Sequence, residues 1–167
     1  MSKILGHYSN YYGDATLAQW RKLGARDKAT NVTKLWALAN KEQVTRVADI
    51  GCGDGAIIHE LGHKGLGESY VGFDVSESGI SYARQRQYVK PSSFESFRGA
   101  HLPADDKTFD LAILSHVVEH LEEPRLLLAE AARIATHVFV EVPLELNART
   151  KHDFRWTTVG HINLYNP

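Results

Sequence analysis

Val47-Ala48-Asp49-Ile50-Gly51-Cys52-Gly53-Asp54-Gly55 is the stretch of sequence that decides the fold of this chain. Its apolar first half is typical of a buried strand and carries one acidic residue, Asp49, while its second half alternates glycine with other residues. Glycine adopts positive φ and leaves the main chain bare, so the stretch predicts a strand, a tight turn and a helix start against which a ligand can lie. A second acidic residue, Asp74, ends the next apolar run. Two strand-end carboxylates beside a glycine turn are typical of a nucleoside-binding site.

Strand-like and helical patterns alternate along the chain from residue 44 onward. This alternation predicts βαβ units with right-handed crossovers, and therefore an α/β, Rossmann-like fold in which helices cover both faces of a largely parallel sheet. Residues 10–41 predict two N-terminal helices, and residues 144–167 show no clear strand. The predicted strands are Val44–Ile50, Tyr70–Val75, Phe94–Arg98, Phe109–Leu114 and His137–Val142, and the predicted helices are Ala56–His63, Glu77–Tyr88 with Ser76 as N-cap, and Pro124–Ala135. The predicted core includes Trp20, Trp36 and Phe109 and, on the last helix, Leu126, Leu127, Ala131 and Ile134.

Composition narrows the class of protein. The chain has 167 residues, enough for one domain, and its 19 basic residues are balanced by 20 acidic ones. This balance argues against a binder of long nucleic acid or of membranes. No apolar stretch is long enough for a membrane span or a signal peptide, and Cys52 is the only cysteine, so no intrachain disulfide can form. Together these features predict a cytoplasmic protein.

The glycine turn fits two kinds of nucleotide site. The dinucleotide fingerprint G-x-G-x-x-G fails at its third glycine, because position 56 is alanine. Asp49 also precedes the turn directly, where a carboxylate would repel a pyrophosphate. An acidic residue at this point suits a ligand that carries a cationic amine, although Asp49 could instead cap the following helix.

The chain resembles the class I S-adenosylmethionine-dependent methyltransferases, in particular the small-molecule type 11/12-like group. The resemblance covers residues 31–143 and rests on four motifs in order. It implies the class I methyltransferase fold, S-adenosyl-L-methionine as cofactor and S-adenosyl-L-homocysteine as its product. The motifs are Val-Ala-Asp-Ile-Gly-Cys-Gly-Asp-Gly (47–55), Val-Gly-Phe-Asp-Val-Ser (71–76), Leu-Pro-Ala-Asp-Asp-Lys-Thr-Phe-Asp (102–110) and Ser-His-Val-Val-Glu-His-Leu-Glu-Glu-Pro (115–124).

The resemblance also implies roles for individual residues. Asp49 would face the amino group of the cofactor, Asp74 would bind both ribose hydroxyls, and Val75 would pack on the adenine. The methionine part would lie on the turn of Gly51, Cys52, Gly53 and Gly55, the adenine edge would meet His101 and Leu102, and Ser115 and His116 would close the methionine side. Cys52 is interpreted as a packing residue rather than a nucleophile.

A histidine cluster follows the fourth predicted strand, where His116, Glu119 and His120 are predicted to share one side of a helical turn. One interpretation is catalytic: a histidine takes a proton from the methyl acceptor. A second is a divalent metal site, because some relatives have E-x-x-E-H here; Glu119 and His120 would be ligands together with His116 and with His152 or His161. The third is a structural or cofactor-lining role. We predict no metal and keep Glu119 and His120 as the weaker metal alternative.

His161 is the third catalytic candidate, beside His116 and His120. It lies in Gly160–Tyr165, which resembles a G-H-x-N-x-[FY] stretch that borders the substrate side in this group. Relatives continue beyond the position of Pro167 with a further helix and an antiparallel strand pair, so the resemblance implies a chain truncated at its C-terminus or lacking those elements.

A single methyltransferase domain is therefore expected, with a helical lid or cap in residues 1–43, a cofactor-binding core in 44–143 and the start of a substrate-side region in 144–167. Tyr11 and Tyr12 could form part of the lid or could merely pack, and Arg21 or Arg26 could meet the cofactor carboxylate.

The expected activity is in-line methyl transfer to a small-molecule O or N acceptor. The alternatives are a non-catalytic or truncated cofactor-binding domain of the same fold and, less in keeping with Asp49, a nucleotide-dependent oxidoreductase. The identity of the acceptor and the oligomeric state do not follow from the sequence.

Overall fold

A computed structural model describes residues 12, 15–39, 43–99, 101–144, 163 and 165. Five parallel strands form one sheet, and in the described residues a helix lies in three of the four connections between consecutive strands. The predicted Rossmann-like fold is confirmed. The strands are β1 (Arg46–Ile50), β2 (Ser69–Asp74), β3 (Ser92–Ser96), β4 (Phe109–Ser115) and β5 (Ala135–Glu141). The helices are α1 (Ala15–Ala39), α2 (Ala56–Lys64), α3 (Glu77–Gln85) and α4 (Pro124–Ile134), and a single 3₁₀ turn covers Val118–His120.

The strand order places the ligand-binding edge at the carboxyl end of β1. The chain runs outward from β1 through β2 to β3, then crosses back and continues from β4 to β5 on the other side. The crevice between β1 and β4 is therefore the switch point at which sheets of this kind bind ligands. The residues that follow β1, β2, β4 and β5 all lie at this edge.

Local signals explain where the helices begin and end. The side chain of Ser76 accepts a hydrogen bond from the backbone N–H of Gly79 at 3.1 Å, which confirms the predicted N-cap of α3. Helix α2 lies between Gly55 and Gly65, which both have positive φ, and Pro124 begins α4, where its missing N–H costs nothing.

The sheet is covered on both faces by apolar side chains, which form two core clusters. The first cluster joins the sheet to α1 and α2, and the second joins it to α4 and the segment before β4. Burying apolar area on both faces of a parallel sheet is what stabilises this architecture. The first cluster includes Ala25, Ala29, Val32, Val47, Ile58, Leu61, Leu111 and Ile113; the second includes Ile50, Phe73, Leu102, Phe109, Leu114, Leu127, Ala131 and Ile134.

The N-terminal helices are the main error of the sequence prediction. Residues 15–39 form one helix of 25 residues rather than two, and Gly24 lies inside it without a contact within 4 Å of its would-be Cβ. Its buried face is made of small residues, and Trp20, predicted to be core, is 78% exposed. Leu126, predicted to lie on the buried face of α4, is also exposed. Phe109 is buried as predicted, and Trp36 is partly buried against His137.

Each helix in the described part of the chain is too short or too polar to cross a bilayer.

Candidate active site

The glycine turn and Asp74 are joined by a direct hydrogen bond. The backbone N–H of Gly53 donates to Oδ2 of Asp74 at 2.7 Å, and the N–H of Ser76 donates to Oδ1 at 2.7 Å. Burial raises the pKa of Asp74, although backbone hydrogen bonds from Ser76, Gly53 and Val75 act in the opposite direction. The N–H groups of Gly51 and Cys52 donate to the carbonyl of Phe73 at 2.7 and 3.1 Å. The two acidic strand ends are therefore held at one side of a rigid turn.

Asp49 is a buried carboxyl group, one of whose oxygens lacks a hydrogen-bond partner among the described residues. It is 1% exposed, and its Oδ2 has no hydrogen-bond partner in the described part of the chain. The pKa of Asp49 is raised to about 7, chiefly by burial. The positive charge of Lys28 lowers this pKa, and the negative charge of Asp74 raises it. Asp49 does not cap α2, because Gly55 occupies that N-cap position. A buried acceptor that lacks a donor is what a cationic ligand group would satisfy.

Lys28 is the cation that the sequence reasoning missed. It lies on the face of α1 that turns toward the strand ends, because Asn31, three residues further on, donates to Oε1 of Glu141 at 2.6 Å. Burial lowers the pKa of Lys28, and the charges of Glu141, Asp49 and Glu119 oppose that shift. The side chain is therefore partly desolvated and within electrostatic range of three carboxyl groups.

The two arginines predicted to meet the cofactor carboxylate have other surroundings. Nε of Arg21 lies 3.1 Å from Oδ2 of Asp54, and its Nη2 donates to the carbonyl of Tyr12 at 3.1 Å. Arg86 approaches the same Asp54 oxygen at 3.1 Å, while Arg26 is exposed. The guanidinium of Arg21 also lies 5.3 Å from the centre of the Tyr12 ring. Arg21 and Asp54 thus join the start of α1 to the glycine turn.

The glycines of the turn have different neighbours. A Cβ on Gly53 would lie 2.8 Å from the Tyr12 hydroxyl, at a φ of +52° that side chains rarely adopt. Tyr12 therefore lies against the turn, and its role as part of a lid stays a prediction; Tyr11 falls outside the described residues. A Cβ on Gly51 would collide with Val117, and one on Gly55 with the hydroxyl of Tyr88. Gly55 thus faces the protein interior, and its predicted contact with the cofactor stays a prediction.

Cys52 behaves as a packing residue. It is 5% exposed, its Sγ lies 3.8 Å from the carbonyl of Gly53, and it packs in the first core cluster. Burial raises the pKa of the Cys52 thiol well above its ordinary value, and the charges of Asp49 and Asp74 raise it further. A thiol that stays protonated at neutral pH is a poor nucleophile.

On the predicted adenine side, Val75 is 47% exposed directly after β2 and offers an apolar surface. His101 is largely exposed, with Nδ1 3.1 Å from Oε2 of Glu130. The side chain of Leu102 is fully buried; its N–H donates to Glu130 at 3.0 Å and its carbonyl accepts from Arg133 at 3.1 Å. Leu102 therefore anchors this loop to α4 from inside, and its contact with a cofactor stays a prediction.

Ser115, His116 and Glu141 form a hydrogen-bonded group at the ends of β4 and β5. The hydroxyl of Ser115 donates to Oε2 of Glu141 at 2.5 Å, and the N–H of His116 donates to the carbonyl of Glu141 at 2.9 Å. His116 has a φ of +59°, an unfavourable conformation for a residue with a side chain. Such strained residues occur often at functional sites.

Glu119 is the second buried carboxylate without a hydrogen-bond partner. It is 0% exposed, and neither carboxylate oxygen is hydrogen-bonded in the described ranges, although Nδ1 of His116 lies 3.4 Å from Oε1. Burial favours a raised pKa, but the nearby His116 side chain and the charge of His120 outweigh it, so the pKa of Glu119 is lowered. His116 precedes the 3₁₀ turn of Val118–His120 and reaches Glu119 across it.

Asn163 fixes this turn from a distant part of the sequence. Its Nδ2 donates to the carbonyls of Val118 and Leu121 at 3.1 and 2.6 Å, and its backbone N–H donates to the carbonyl of Glu119 at 3.0 Å. Sequence reasoning singled out Gly160–Tyr165 but chose His161, which lies outside the described residues, as does His152. Asn163 was missed because its role depends on a contact that no local pattern reveals.

In the residues that the structure describes, no group of three His, Cys, Asp or Glu side chains is placed to hold a metal ion.

A family model described as a methyltransferase domain matches residues 48–137, more than half of the chain. The chain belongs to this methyltransferase domain family. The match confirms the predicted membership of the class I, type 11 group, and it covers the glycine turn, Asp74 and the histidine cluster together.

Known relatives support the same family. An uncharacterized methyltransferase of Mycobacterium ulcerans is 32% identical over 112 residues, which are 66% of this chain and 43% of that protein. A ubiquinone biosynthesis O-methyltransferase of Rhizobium rhizogenes is 31% identical over 91 residues, 53% of this chain and 36% of that protein. The methyltransferase domain thus spans less than half the length of these curated relatives.

A solved structure shares the fold. The S-adenosylmethionine-dependent methyltransferase of Aquifex aeolicus aligns with a TM-score of 0.54 and 25% identity, over 64% of this chain and 57% of that one. The methyltransferase domain thus has the fold of an enzyme described as dependent on this cofactor.

Proposed function

We propose that this methyltransferase domain binds S-adenosyl-L-methionine at the carboxyl ends of β1 and β2 and transfers its methyl group to a small-molecule O or N acceptor. The observation that carries the proposal is the hydrogen bond from Gly53 to Asp74 at 2.7 Å. It couples the carboxylate suited to a ribose to the bare turn suited to an amino-acid chain. Because each carboxylate oxygen can accept more than one hydrogen bond, Asp74 can hold the turn and the ribose hydroxyls at once.

The charged groups around the turn suit a ligand in which a nucleoside carries an amino acid. The buried, unpartnered Oδ2 of Asp49 suits the cofactor's ammonium group. Lys28 is the cation within range of Asp49, and we assign it to the cofactor's carboxylate in place of Arg21 and Arg26. The exposed surface of Val75 would pack on the adenine. These residues fit both charged ends of the methionine part, which a dinucleotide lacks.

The cofactor supplies an electrophilic methyl group on a positively charged sulfur. The protein's task is then mainly alignment, since holding two reactants in line accounts for a large part of such rate enhancements. His116, in its strained conformation directly after β4, donates its backbone N–H to the carbonyl of Glu141. We assign to His116 and His120 the acceptor side of the site, where an imidazole can take a proton from the acceptor. His161 remains a candidate for the same task.

A second function is a cofactor-binding domain without catalysis of its own. The observation behind it is the length of the chain, which spans 43% of the relative from Mycobacterium ulcerans. An acceptor pocket built outside the region that is similar to this relative would leave cofactor binding intact and turnover absent.

Cofactor binding is tested by calorimetry with S-adenosyl-L-homocysteine on the wild type, on Asp74→Asn and on the matched control Asp105→Asn, whose side chain is exposed. A hydrogen bond to a charged group contributes about 1.5–3 kcal/mol, so Asp74→Asn is expected to weaken binding by about tenfold or more. Asp105→Asn should bind like the wild type. Equal affinities of Asp74→Asn and wild type would show that Asp74 does not hold the ribose.

A further inference from the structure

The unassigned feature of this site is its excess of buried negative charge. Glu119 is fully buried with both carboxylate oxygens lacking a hydrogen-bond partner in the described ranges, and Asp49 is 1% exposed with Oδ2 in the same condition. The carboxylate of Glu141, at the end of β5, acts on Lys28 together with these two groups, and Ser115 and Asn31 each donate to one of its oxygens. Desolvated carboxylates are costly unless a cation or a full set of donors compensates them.

The cations around this cluster do not balance it. Within the described residues, Lys28 is the ammonium in electrostatic range of Glu141, Asp49 and Glu119 together. His116 and His120 also act on Glu119, but an imidazole carries charge only when protonated. Among the residues that the structure describes, three carboxyl groups thus face one permanent positive charge.

The cofactor of the proposed function compensates only part of this excess. Its ammonium group pairs with Asp49, and its carboxylate engages Lys28, which leaves that cation less able to compensate Glu119 and Glu141. The sulfonium adds one positive charge, and two carboxylates remain on the β4 and β5 side. A further cation at this side completes the balance, whereas an anionic acceptor would be repelled.

We propose that the methyl acceptor is an amine, bound in its cationic form by the carboxylates of Glu119 and Glu141. This inference rests on the proposed function and narrows its acceptor from O or N to N. Glu119 and Glu141 recognise the substrate by charge, and Asn163 holds the turn that carries Glu119, since its amide donates to the carbonyls on either side of that residue.

Methyl transfer requires a free lone pair on the amine nitrogen. The bound ammonium gives one proton to His116 or to water, which frees the nitrogen lone pair. The nitrogen attacks the methyl carbon, and a C–N bond forms while the C–S bond breaks. The electron pair of the broken bond stays on sulfur, which becomes a neutral thioether. The methylated nitrogen carries the positive charge, so a cation remains beside Glu119 and Glu141.

The test measures binding of size-matched probes to the full chain saturated with S-adenosyl-L-homocysteine. The pairs are benzylamine with benzyl alcohol and butylamine with butanol. The amine of at least one pair is expected to bind tenfold or more tightly than its alcohol. This advantage should fall at least fivefold in Glu119→Gln and persist in the matched control Glu122→Gln, whose side chain is exposed. If Glu119→Gln does not fold, Glu141→Gln takes its place, with the same expectation.

The outcomes separate this inference from the proposed function. Failure of the wild type to bind S-adenosyl-L-homocysteine removes the proposed function itself. Normal binding of that ligand with no amine preference in either pair, including no detectable binding of any probe, overturns the amine inference alone. An amine preference that survives both Glu119→Gln and Glu141→Gln also overturns it, because the recognition would then lie elsewhere.

Discussion

Replacing Asp49 by asparagine should make the ligand-free protein more stable, and increasingly so as pH rises. Asp49 is buried beside the glycine turn, and its pKa is raised from 3.8 to about 7, chiefly by burial. Between these values the native state keeps a proton that the unfolded chain has lost. Stability of the wild type therefore falls as pH rises from about 4 to about 7, and above that range the full cost of the buried charge is present.

The size of the effect follows from this shift. A shift of about three pK units lowers the free energy of unfolding of the wild type by about 4 kcal/mol at pH 8 and by less than half of that at pH 5. Asparagine leaves an amide with incomplete hydrogen bonding at all pH values, which lowers the absolute gain by a constant amount. The difference between the two pH values avoids this offset: the advantage of Asp49→Asn should grow by about 2–3 kcal/mol from pH 5 to pH 8.

Urea unfolding of wild type and Asp49→Asn at the two pH values measures this growth directly. Asp105→Asn, at an exposed position, is the control and should show no such growth. The more stable Asp49→Asn should also bind S-adenosyl-L-homocysteine at least tenfold more weakly, because a neutral amide cannot pair with the ligand's ammonium group. An advantage that is the same at both pH values, or that shrinks at pH 8, would refute a buried ionised Asp49.

Two further substitutions test the turn and its support. Gly53→Ala places a Cβ 2.8 Å from the Tyr12 hydroxyl at a φ of +52°, so it should cost about 1–2 kcal/mol of stability and lower the affinity for S-adenosyl-L-homocysteine. Gly24→Ala is the control: it lies inside α1 with nothing within 4 Å of the added Cβ, so it should be neutral or stabilising by up to about 1 kcal/mol. Equal behaviour of the two variants would argue against the close approach of Tyr12. Asn163→Ala removes two side-chain hydrogen bonds to the turn around Glu119, so its free energy of unfolding, measured in urea, should be about 1–3 kcal/mol lower than that of the wild type. A variant as stable as the wild type would show that the turn does not depend on Asn163.

The segment from β1 to α3 was predictable because local chemistry fixes it. An apolar run with Asp49, three glycines with positive φ and the Ser76 cap each act within a few residues, so the predicted elements differ from the observed ones mainly at their ends. The parallel sheet followed from alternating strands and helices and from the handedness of their crossovers. No long-range information was needed for either.

Helix α1 was mispredicted because its large apolar residues are not its buried ones. Trp20 and Leu38 are about 80% exposed, whereas Ala25, Ala29 and Val32 face the sheet. Small residues on that face allow α1 to pack closely against α2, and only the packed structure reveals this register. Lys28 and its place among the carboxyl groups were missed for the same reason.

Binding of S-adenosyl-L-homocysteine to the wild-type chain, compared with NADH in the same calorimeter, tests the central claim most directly. Asp49, Lys28 and Asp74 suit an adenosine that carries both an ammonium and a carboxylate group, and Asp49 opposes a pyrophosphate. The account predicts saturable, one-to-one binding of S-adenosyl-L-homocysteine and binding of NADH that is at least a hundredfold weaker. Folded protein that binds NADH as tightly or more tightly, or that does not bind S-adenosyl-L-homocysteine at all, would contradict it.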